Sequence, residues 1–294
     1  MTTILLTGAS GFLGSALARR WVRDGRTLHL LLRPSSSRAR LEQVRDAVTI
    51  HEAAGSDDAM RLVERLRPDV IVHTACAYGR TGETPRQIFD ANLAYGMALL
   101  QGLANAGAPA TFVNTGSVLD PNISLYALSK RQFSDWGAQI AARDGGHQRF
   151  VDLRLQHMYG PGDDPSKFTT HVLHACRRHE PSLALTAGEQ RRDFLFIDDV
   201  VAAYDVVLNA LASLPAHETI DVGSGEAPRV REFVELAHRL TGSRTRLDFG
   251  MLPYRPNEAM SCRADTSRLR ALGWQPAFGL ETGLQETIRR EQLP

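Results

Sequence analysis

The sequence predicts an α/β fold, with a doubly wound parallel sheet and a smaller, interwoven C-terminal lobe. Short, continuously apolar runs such as 4–7 and 70–73 alternate with amphipathic stretches of helical period. This pattern is typical of parallel strands that helices cover on both faces. The first run also enters a turn with glycines at positions 8, 11 and 14, and a helix follows. A strand, a glycine-rich turn and a helix in this order are typical of the dinucleotide-binding Rossmann sheet.

The elements of the first half follow from the apolar pattern. Residues 12–24 predict a helix because Phe12, Leu13, Leu17 and Trp21 fall on one face, and Gly25 is suited to end it. Runs rich in Val, Ile and Leu predict buried strands, and segments with helical period between them predict crossover helices. The remaining elements predicted here are strands at 27–32, 48–51, 70–73, 111–114 and 150–155 and helices at 59–66, 88–106 and 126–143.

The second half is less regular. The sequence predicts a loop at 159–165, strands at 194–197 and 219–222, and helices at 198–211, 230–240 and 280–290, with Asp198 or Asp199 as a cap. We therefore expect a dinucleotide-binding domain at 1–155, to which residues 190–215 return. Residues 156–189 and 216–294 are expected to form the substrate-binding lobe.

Composition excludes several classes of function. Among 294 residues, 34 Lys and Arg balance 33 Asp and Glu, which gives no electrostatic argument for binding nucleic acid or an anionic membrane. Three distant cysteines form neither a CxxC pair nor a disulfide framework, and no residues have metal-ligand spacing. Without a signal peptide or a long apolar stretch, the sequence predicts a cytoplasmic protein that binds no metal.

The glycine-rich turn predicts the dinucleotide site. Gly8 would allow the tight turn, Gly11 the approach of the pyrophosphate, and Gly14 close packing of the helix on the sheet. The backbone N–H groups that follow the turn would bind phosphate. The residues expected to contribute here, besides the three glycines, are Ser10, Phe12 and Leu13. The alternative is a glycine-rich turn that binds no ligand.

Arg33 indicates which dinucleotide is used. It follows the second predicted strand, where NAD-binding folds usually place an acid that binds the ribose 2′-hydroxyl. A guanidinium together with Ser35 suits a 2′-phosphate instead. The sequence therefore favours NADP(H), with NAD(H) as a possibility and a solvated basic loop as the alternative. Asp57 is a weaker candidate for facing the adenine.

Tyr126 and Lys130 predict the catalytic site. A tyrosine has an unperturbed pKa of about 10, so proton exchange near neutrality requires a nearby positive charge. Lys130 lies one helical turn after Tyr126 and provides that charge, and its ammonium group could also hold the ribose of the cofactor. Thr115, at the end of the fifth strand, could donate a hydrogen bond to a substrate carbonyl. The alternative for a YxxxK sequence is a solvated helix face.

Together these motifs resemble the extended short-chain dehydrogenases/reductases of the NAD-dependent epimerase/dehydratase family. The similarity extends over nearly the full length, and several motifs in the right order are more specific than any single one. The matching segments are TGASGFLG at 7–14, VIVHTAC at 70–76, Asn92, YALSK at 126–130, LRLQHMYGP at 153–161, RRDFLFIDDV at 191–200, DVGSGE at 221–226 and YRPNEAMSCRADTSRLRALGW at 254–274.

The resemblance implies the remaining site residues and the partners. Thr74, Ala75 and Asn92 would lie beside the cofactor. Arg192 and Arg255 would contact the diphosphate of a nucleotide-sugar, and the alternative for each arginine is a salt bridge within the protein. Ser117 would bind a sugar hydroxyl. His157 stands where the family usually has an asparagine that helps to hold the substrate. Either His157 replaces that asparagine as a hydrogen-bond donor, or the substrate differs from that of the family. A homodimer that packs the helix after Tyr126 against its twin is a common arrangement in this family.

Departures from the family pattern narrow the expected reaction. The 4,6-dehydratases carry an Asp-Glu pair after the catalytic threonine, whereas this chain has Gly116 and Ser117. Arg33 disfavours the epimerases that retain NAD⁺. The chain is most similar to nucleotide-linked 4-keto-deoxysugar reductases of the CDP-abequose and CDP-paratose synthase type. NADPH-dependent reduction of a 4-keto sugar is therefore expected. The alternatives are a nucleotide-sugar epimerase with tightly bound NAD and a non-catalytic NADP-sensing protein.

Overall fold

The computed structural model describes residues 2–143 and 145–291. Its strands are β1 Ile4–Thr7, β2 Leu28–Leu32, β3 Thr49–Glu52, β4 Val70–His73, β5 Ala110–Ser117, β6 Gln148–Leu155, β7 His157–Tyr159, β8 Ser182–Leu185, β9 Arg191–Arg192, β10 Phe194–Phe196, β11 His217–Val222, β12 Arg246–Phe249 and β13 Ser261–Cys262. Its α-helices are α1 Phe12–Arg23, α2 Ser56–Leu66, α3 Pro85–Phe89, α4 Tyr95–Ala106, α5 Leu125–Arg143, α6 Phe168–Arg177, α7 Ile197–Ala210, α8 Val230–Leu240, α9 Ser267–Ala271 and α10 Leu280–Arg290.

Seven strands form a parallel central sheet in the order β11-β6-β5-β4-β1-β2-β3. This order confirms the predicted doubly wound α/β fold. Thr7 of β1 pairs with Leu31 of β2 on one side and with His73 of β4 on the other, and His73 pairs with Asn114 of β5. Ligands of such sheets bind at the carboxyl edge. The register therefore places the residues that follow these four strands at that edge.

The helix expected at 88–106 is longer and is interrupted. It begins at Pro85, where Thr84 accepts a hydrogen bond from the Gln87 backbone and Gln87 accepts one from the Thr84 backbone. A π-helical turn, Asp90–Ala94, then separates α3 from α4. Apolar periodicity indicated one continuous helix because it does not report the extra residue of a π-turn. Such turns are often found at functional sites.

Aromatic packing fixes α5, the helix that carries the YxxxK sequence, against the sheet. Phe133 of α5 contacts Phe112 of β5 and Phe150 of β6, with ring centroids 5.6 and 5.8 Å apart. Glycines make room for these rings, since a Cβ at Gly96 would lie 2.5 Å from Phe133 and one at Gly137 would lie 2.1 Å from Phe150. The depth of α5 on the sheet is therefore set by tight packing, which even one extra methyl group would disturb.

The chain divides into two compact units. The first contains residues 1–154 and 208–220, and the second contains residues 155–207 and 221–294. This division differs from the expectation that 190–215 returns to the first unit, because 190–207 belongs to the second. There β9 pairs with β13 and β10 pairs with β7, and both pairs are parallel.

Buried carboxylates stabilise the second unit. Asp193 is fully buried and accepts hydrogen bonds from the Ser224 hydroxyl and from the backbone N–H groups of Ser224, Gly225 and Ala264, at 2.7 to 3.1 Å. Asp199 accepts two more from the backbone of Ala277 and Phe278. These carboxylates satisfy loop N–H groups that the short strand pairs leave unpaired. This explains how an irregular segment is held without a large sheet.

The part of the chain that the structure describes has neither a membrane-spanning helix nor a cluster of metal ligands. Within residues 2–143 and 145–291, the helices are too short or too polar to span a bilayer. Across the same ranges, His, Cys, Asp and Glu side chains form no group of three or more that could bind a metal ion.

Candidate active site

The glycine turn after β1 is packed against the neighbouring strand end. Gly8 has a positive φ of +69°, a conformation that favours glycine. A Cβ at Gly8 would lie 2.5 Å from the Ala75 nitrogen, and one at Gly14 would lie 2.3 Å from the Gly8 carbonyl oxygen. The Gly11 N–H donates to the Gly8 carbonyl at 2.9 Å and closes the turn. Gly8 and Gly14 are therefore required because neighbouring backbone atoms leave no space for a Cβ at either position.

The N-terminus of α1 lies at the end of this turn. Gly11 is its N-cap residue, and its first turn contains no acidic side chain. The partial positive charge of the helix N-terminus is therefore not neutralised locally, and its backbone N–H groups suit an anion. Together with the close-packed glycines, these features fit the pyrophosphate of a dinucleotide. Of the predicted residues, Ser10 lies in the turn, and Phe12 and Leu13 are the first two residues of α1.

The end of β2 carries the residues expected to distinguish the two dinucleotides. Arg33 and Ser35 follow Leu32 and are exposed, and the Ser36 N–H donates to the Arg33 carbonyl in a tight turn. Arg38, in the same loop, forms an ion pair with Glu52 at the end of β3. Asp57 is exposed in the first turn of α2. Contacts of Arg33, Ser35 and Asp57 with a cofactor remain predictions.

The end of β4 is tied to β1 through side chains. The Thr74 hydroxyl donates to the Thr7 carbonyl at 2.8 Å, and the Thr7 hydroxyl and His73 Nδ1 share a hydrogen bond of 2.8 Å. Burial, assisted by the charge of Lys130, lowers the pKa of His73 to about 3. His73 is therefore a neutral core residue that fixes the strand ends next to Gly8 and Ala75.

Asn92 joins the loop after β4 to α5 through its side-chain amide. Its side chain is fully buried in the π-turn. Its amide accepts from the Ala77 N–H at 2.7 Å and donates to the Ala77 carbonyl and the Ser129 hydroxyl, both at 2.9 Å. Both amide hydrogens are therefore used within the protein. Asn92 therefore anchors the loop after β4 to α5, and its expected place beside the cofactor stays a prediction.

The predicted catalytic residues lie on two elements of the first unit. Thr115 follows Asn114 in β5 and is therefore level with Thr74 and Gly8 at the carboxyl edge of the sheet. Tyr126 and Lys130 lie one turn apart near the start of α5, Tyr126 half-buried and Lys130 2% exposed. The Ser129 hydroxyl, between them, donates to the Tyr126 carbonyl at 2.8 Å.

A buried carboxylate accompanies the buried lysine. Burial lowers the pKa of Lys130, while Cys76 and Asp152 oppose this shift. Burial likewise raises the pKa of Asp152, against hydrogen bonds from Ser134 and Asn114. Asn114 donates to Asp152 at 2.7 Å. The negative charge of Asp152 favours the ammonium form of Lys130, which the predicted role of that residue requires.

Asp152 also explains the glycine after Thr115. A Cβ at Gly116 would lie 2.5 Å from Asp152 Oδ1. The packing of β5 on β6 therefore leaves no space for a side chain at position 116, and a second carboxylate there would also meet a like charge. Ser117 is half-buried, and its hydroxyl accepts from the Leu119 N–H at 3.3 Å.

The second unit carries the other predicted substrate ligands. Arg192 is largely buried and forms an ion pair with Glu258. Arg255 is exposed and begins the turn that holds Glu258, whose N–H donates to the Arg255 carbonyl at 3.1 Å. His157 lies in β7 with its ring 6.2 Å from that of Phe194. Contacts of these three residues with a substrate remain predictions.

Sequence reasoning missed Asp152 and Asn114. One signal was available for Asp152, because it is the acid within the otherwise apolar run Phe150–Leu153 of a predicted buried strand. A charge in such a strand is rarely left without a partner. Asn114 carried no comparable signal, since its bond to Asp152 joins residues that are 38 positions apart.

A Gly14→Ala variant should lose dinucleotide binding. The helical backbone at residue 14 accepts alanine, but the new Cβ would displace the Gly8 carbonyl and so open the turn. Binding of NADPH, measured by calorimetry, should weaken by about tenfold or more, as expected if even one charged hydrogen bond is lost. The matched control is Gly279→Ala, which alters the N-cap glycine of α10, where no atom lies closer than 4.0 Å to the added Cβ. Equal binding by both variants would contradict the assignment.

Comparison with known proteins is consistent with this geometry. CDP-abequose synthase of Salmonella typhimurium is 32% identical over 225 residues, which cover 74% of each chain. CDP-abequose synthase of Salmonella muenchen is 28% identical over 295 residues, which cover 98% of each chain. A UDP-glucose 4-epimerase from Stenotrophomonas maltophila, solved with bound NAD and formylated UDP-arabinopyranose, has a TM-score of 0.85 at 20% identity and covers 99% of this chain and 98% of its own. The last similarity shows a shared fold.

The family comparison confirms the resemblance inferred from the motifs. The model of the NAD-dependent epimerase/dehydratase family matches residues 4–223, which include the glycine turn, Thr115, Tyr126 and Lys130. The chain therefore belongs to the NAD-dependent epimerase/dehydratase family and is an NAD(P)-dependent enzyme of the short-chain dehydrogenase/reductase type.

Proposed function

We propose that this enzyme uses NADPH to reduce the C4 ketone of a nucleotide-linked deoxysugar. The observation that carries the proposal is the pairing of a half-buried phenol with a buried lysine one helical turn away, on a helix fixed by Phe133 and Asn92. The similarity to two CDP-abequose synthases supports a nucleotide-sugar as the substrate.

Each residue of the proposed catalytic set has a distinct role. NADPH, when bound, supplies the hydride that the carbonyl carbon receives. Tyr126 donates its phenolic proton to the carbonyl oxygen, so that the ketone becomes a secondary alcohol. Thr115 donates a hydrogen bond to the same oxygen and orients it. Lys130, as an ammonium ion, stabilises the phenolate that remains on Tyr126 after the proton is donated. It also holds the cofactor ribose.

The packing of Gly116 supports reduction over dehydration. Elimination of water from a sugar requires an acid and a base beside the carbonyl, and the family's dehydratases carry them at the positions of Gly116 and Ser117. Asp152 occupies the space that a side chain at 116 would need. The reaction we propose requires only a hydride and one proton.

Arg33 supports NADPH as the hydride source. Its exposed guanidinium lies just beyond β2, and Arg38 in the same loop is already paired with Glu52. A guanidinium binds phosphate oxygens in a bidentate manner, whereas it offers no acceptor to a ribose hydroxyl.

The second unit would bind the nucleotide part of the substrate. In this proposal Arg192 and Arg255 contact the diphosphate, and Arg192 exchanges its bond to Glu258 for bonds to phosphate oxygens. His157 would donate a hydrogen bond in place of the usual asparagine, and Ser117 would bind a sugar hydroxyl.

Turnover by the purified enzyme tests the proposal directly. NADPH absorbance should decrease with CDP-linked 4-keto-deoxysugars, and Tyr126→Phe should lower kcat by about 100-fold or more because it removes the proton donor. NADPH binding should be retained in that variant, since the phenol is not needed to hold the cofactor. Absence of oxidation with every 4-keto-sugar nucleotide, together with tightly bound NAD⁺ in the purified protein, would favour the alternative, a nucleotide-sugar epimerase.

Cofactor preference provides an independent prediction. Arg33→Ala should raise the KM for NADPH by about 10- to 100-fold, the range for losing a charge-assisted bond to phosphate. The KM for NADH should change by less than about twofold, since NADH lacks that phosphate. Arg38→Ala is the matched control in the same loop. Equal losses with both cofactors would show that Arg33 supports the loop and does not select the phosphate.

Exposed apolar residues on α5 support the expected homodimer. Leu125, Leu128 and Trp136 are 39 to 55% exposed, and their spacing places them on one face of the helix. We propose that a second copy of the chain covers this face.

Trp136→Glu should convert a dimer of 32.4 kDa subunits into monomers, because a charge in an apolar interface lacks a partner. Light scattering measures this change in mass. Met251→Glu, which alters an exposed apolar residue in the second unit, should leave the mass unchanged. A monomeric wild-type protein would contradict this arrangement.

A further inference from the structure

The loop between β4 and α3 is held by its backbone, close to the catalytic helix. Both the N–H and the carbonyl of Ala77 bond to the amide of Asn92. Two residues later, Gly79 has a φ of +70°, and a Cβ there would lie 2.9 Å from the Ile88 side chain. Tyr78 therefore lies between two backbone positions that have little freedom.

The same amide also holds the turn that carries Tyr126. Asn92 donates to the Ser129 hydroxyl, and this hydroxyl donates to the Tyr126 carbonyl at 2.8 Å. The backbone positions of Tyr78 and Tyr126 are thus both fixed relative to one buried side chain. The hydrogen bonds of Asn92 therefore restrict how far the backbone at Tyr78 can move relative to the backbone at Tyr126.

The two tyrosine rings are in contact. Their centroids lie 4.9 Å apart and their planes are tilted by 34°. This separation is within the range in which aromatic rings attract each other. The Arg80 guanidinium carbon lies 5.3 Å from the Tyr78 centroid, within reach of a cation–π interaction. Tyr78 is half-buried, so its ring can restrict the Tyr126 ring on the side where the two rings meet.

We propose that Tyr78 is a positioning residue, whose ring packs against Tyr126 and holds the phenol in the orientation needed for proton donation. This inference rests on the proposed function, because it assigns Tyr78 an effect on that reaction. Proton transfer requires the donor oxygen within hydrogen-bond reach of the acceptor, and small displacements reduce the rate strongly. A ring at position 78 is required, whereas the Tyr78 hydroxyl is not.

Three variants separate positioning from general support of the loop. Tyr78→Leu removes the ring, Tyr78→Phe keeps it, and Phe249→Leu breaks another contact between an aromatic ring and an arginine, 3.8 Å from Arg231 in the second unit. We expect Tyr78→Leu to lower kcat by about tenfold, with KM for substrate and NADPH changed by less than about twofold. Tyr78→Phe and Phe249→Leu should retain the wild-type kcat within about twofold.

A spectroscopic measurement tests the ring contact without turnover. The protein has six tyrosines, and incorporation of 3-fluorotyrosine with comparison to Tyr126→Phe assigns the fluorine resonance of Tyr126. Tyr78→Leu should shift this resonance and change its pH titration, and Tyr78→Phe should leave both close to wild type. If the wild type reduces no ketone, this measurement still decides whether Tyr78 positions the phenol.

Two outcomes would overturn the inference. One is a Tyr126 resonance and titration that Tyr78→Leu leaves unchanged. The other is an equal loss of kcat in Tyr78→Leu and Tyr78→Phe, which would assign the effect to the hydroxyl. If Tyr78→Leu does not fold, Tyr78→Met replaces it and is judged by the same criteria.

Discussion

The organisation of the proposed site depends on the buried amide of Asn92. This one side chain bonds both backbone groups of Ala77 and the hydroxyl of Ser129, and so joins the loop after β4 to the helix that carries Tyr126 and Lys130. Leaving any of these groups unsatisfied in the interior would cost about 1–3 kcal/mol, so the three bonds restrict the loop and the helix together. Asn92 lies in the π-turn between α3 and α4, a feature that is frequent at functional sites.

The parallel register of the strands accounts for the placement of the other residues of the proposed site. Because Thr7, His73 and Asn114 lie level in neighbouring strands, the residues that follow them are brought to one edge although they are far apart in sequence. Gly8, with its positive φ, and the N-terminus of α1, whose first turn has no acidic side chain, follow β1 at that edge. The sheet thus brings the residues of the proposed site to one edge. The buried side chains of Asn92 and Asp152 influence the orientation and the charge of these residues.

The sequence predicted the parallel sheet and most of its strand ends, because apolar runs and glycine turns are local signals. The fifth strand was predicted to end at Asn114, whereas β5 continues to Ser117. The bounds of α8 and α10 were also predicted correctly from apolar periodicity. The interruption at Asp90–Ala94 and the bond between Asn114 and Asp152 were not predictable, since both depend on three-dimensional packing. Residues 190–207 were expected to return to the first unit, whereas they belong to the second, where β9 pairs with β13 and β10 pairs with β7.

The contact between Gly116 and Asp152 has an evolutionary consequence. An acidic residue cannot be introduced at position 116 while the neighbouring strand retains its carboxylate, because the two would overlap in space and repel in charge. Losing Asp152 first would remove a negative charge that favours the ammonium form of Lys130. Either substitution made alone would therefore disturb the packing of β5 against β6 or the charge beside Lys130. A carboxylate at position 116 would thus require a compensating change in the neighbouring strand, so the two positions are expected to vary together among related sequences.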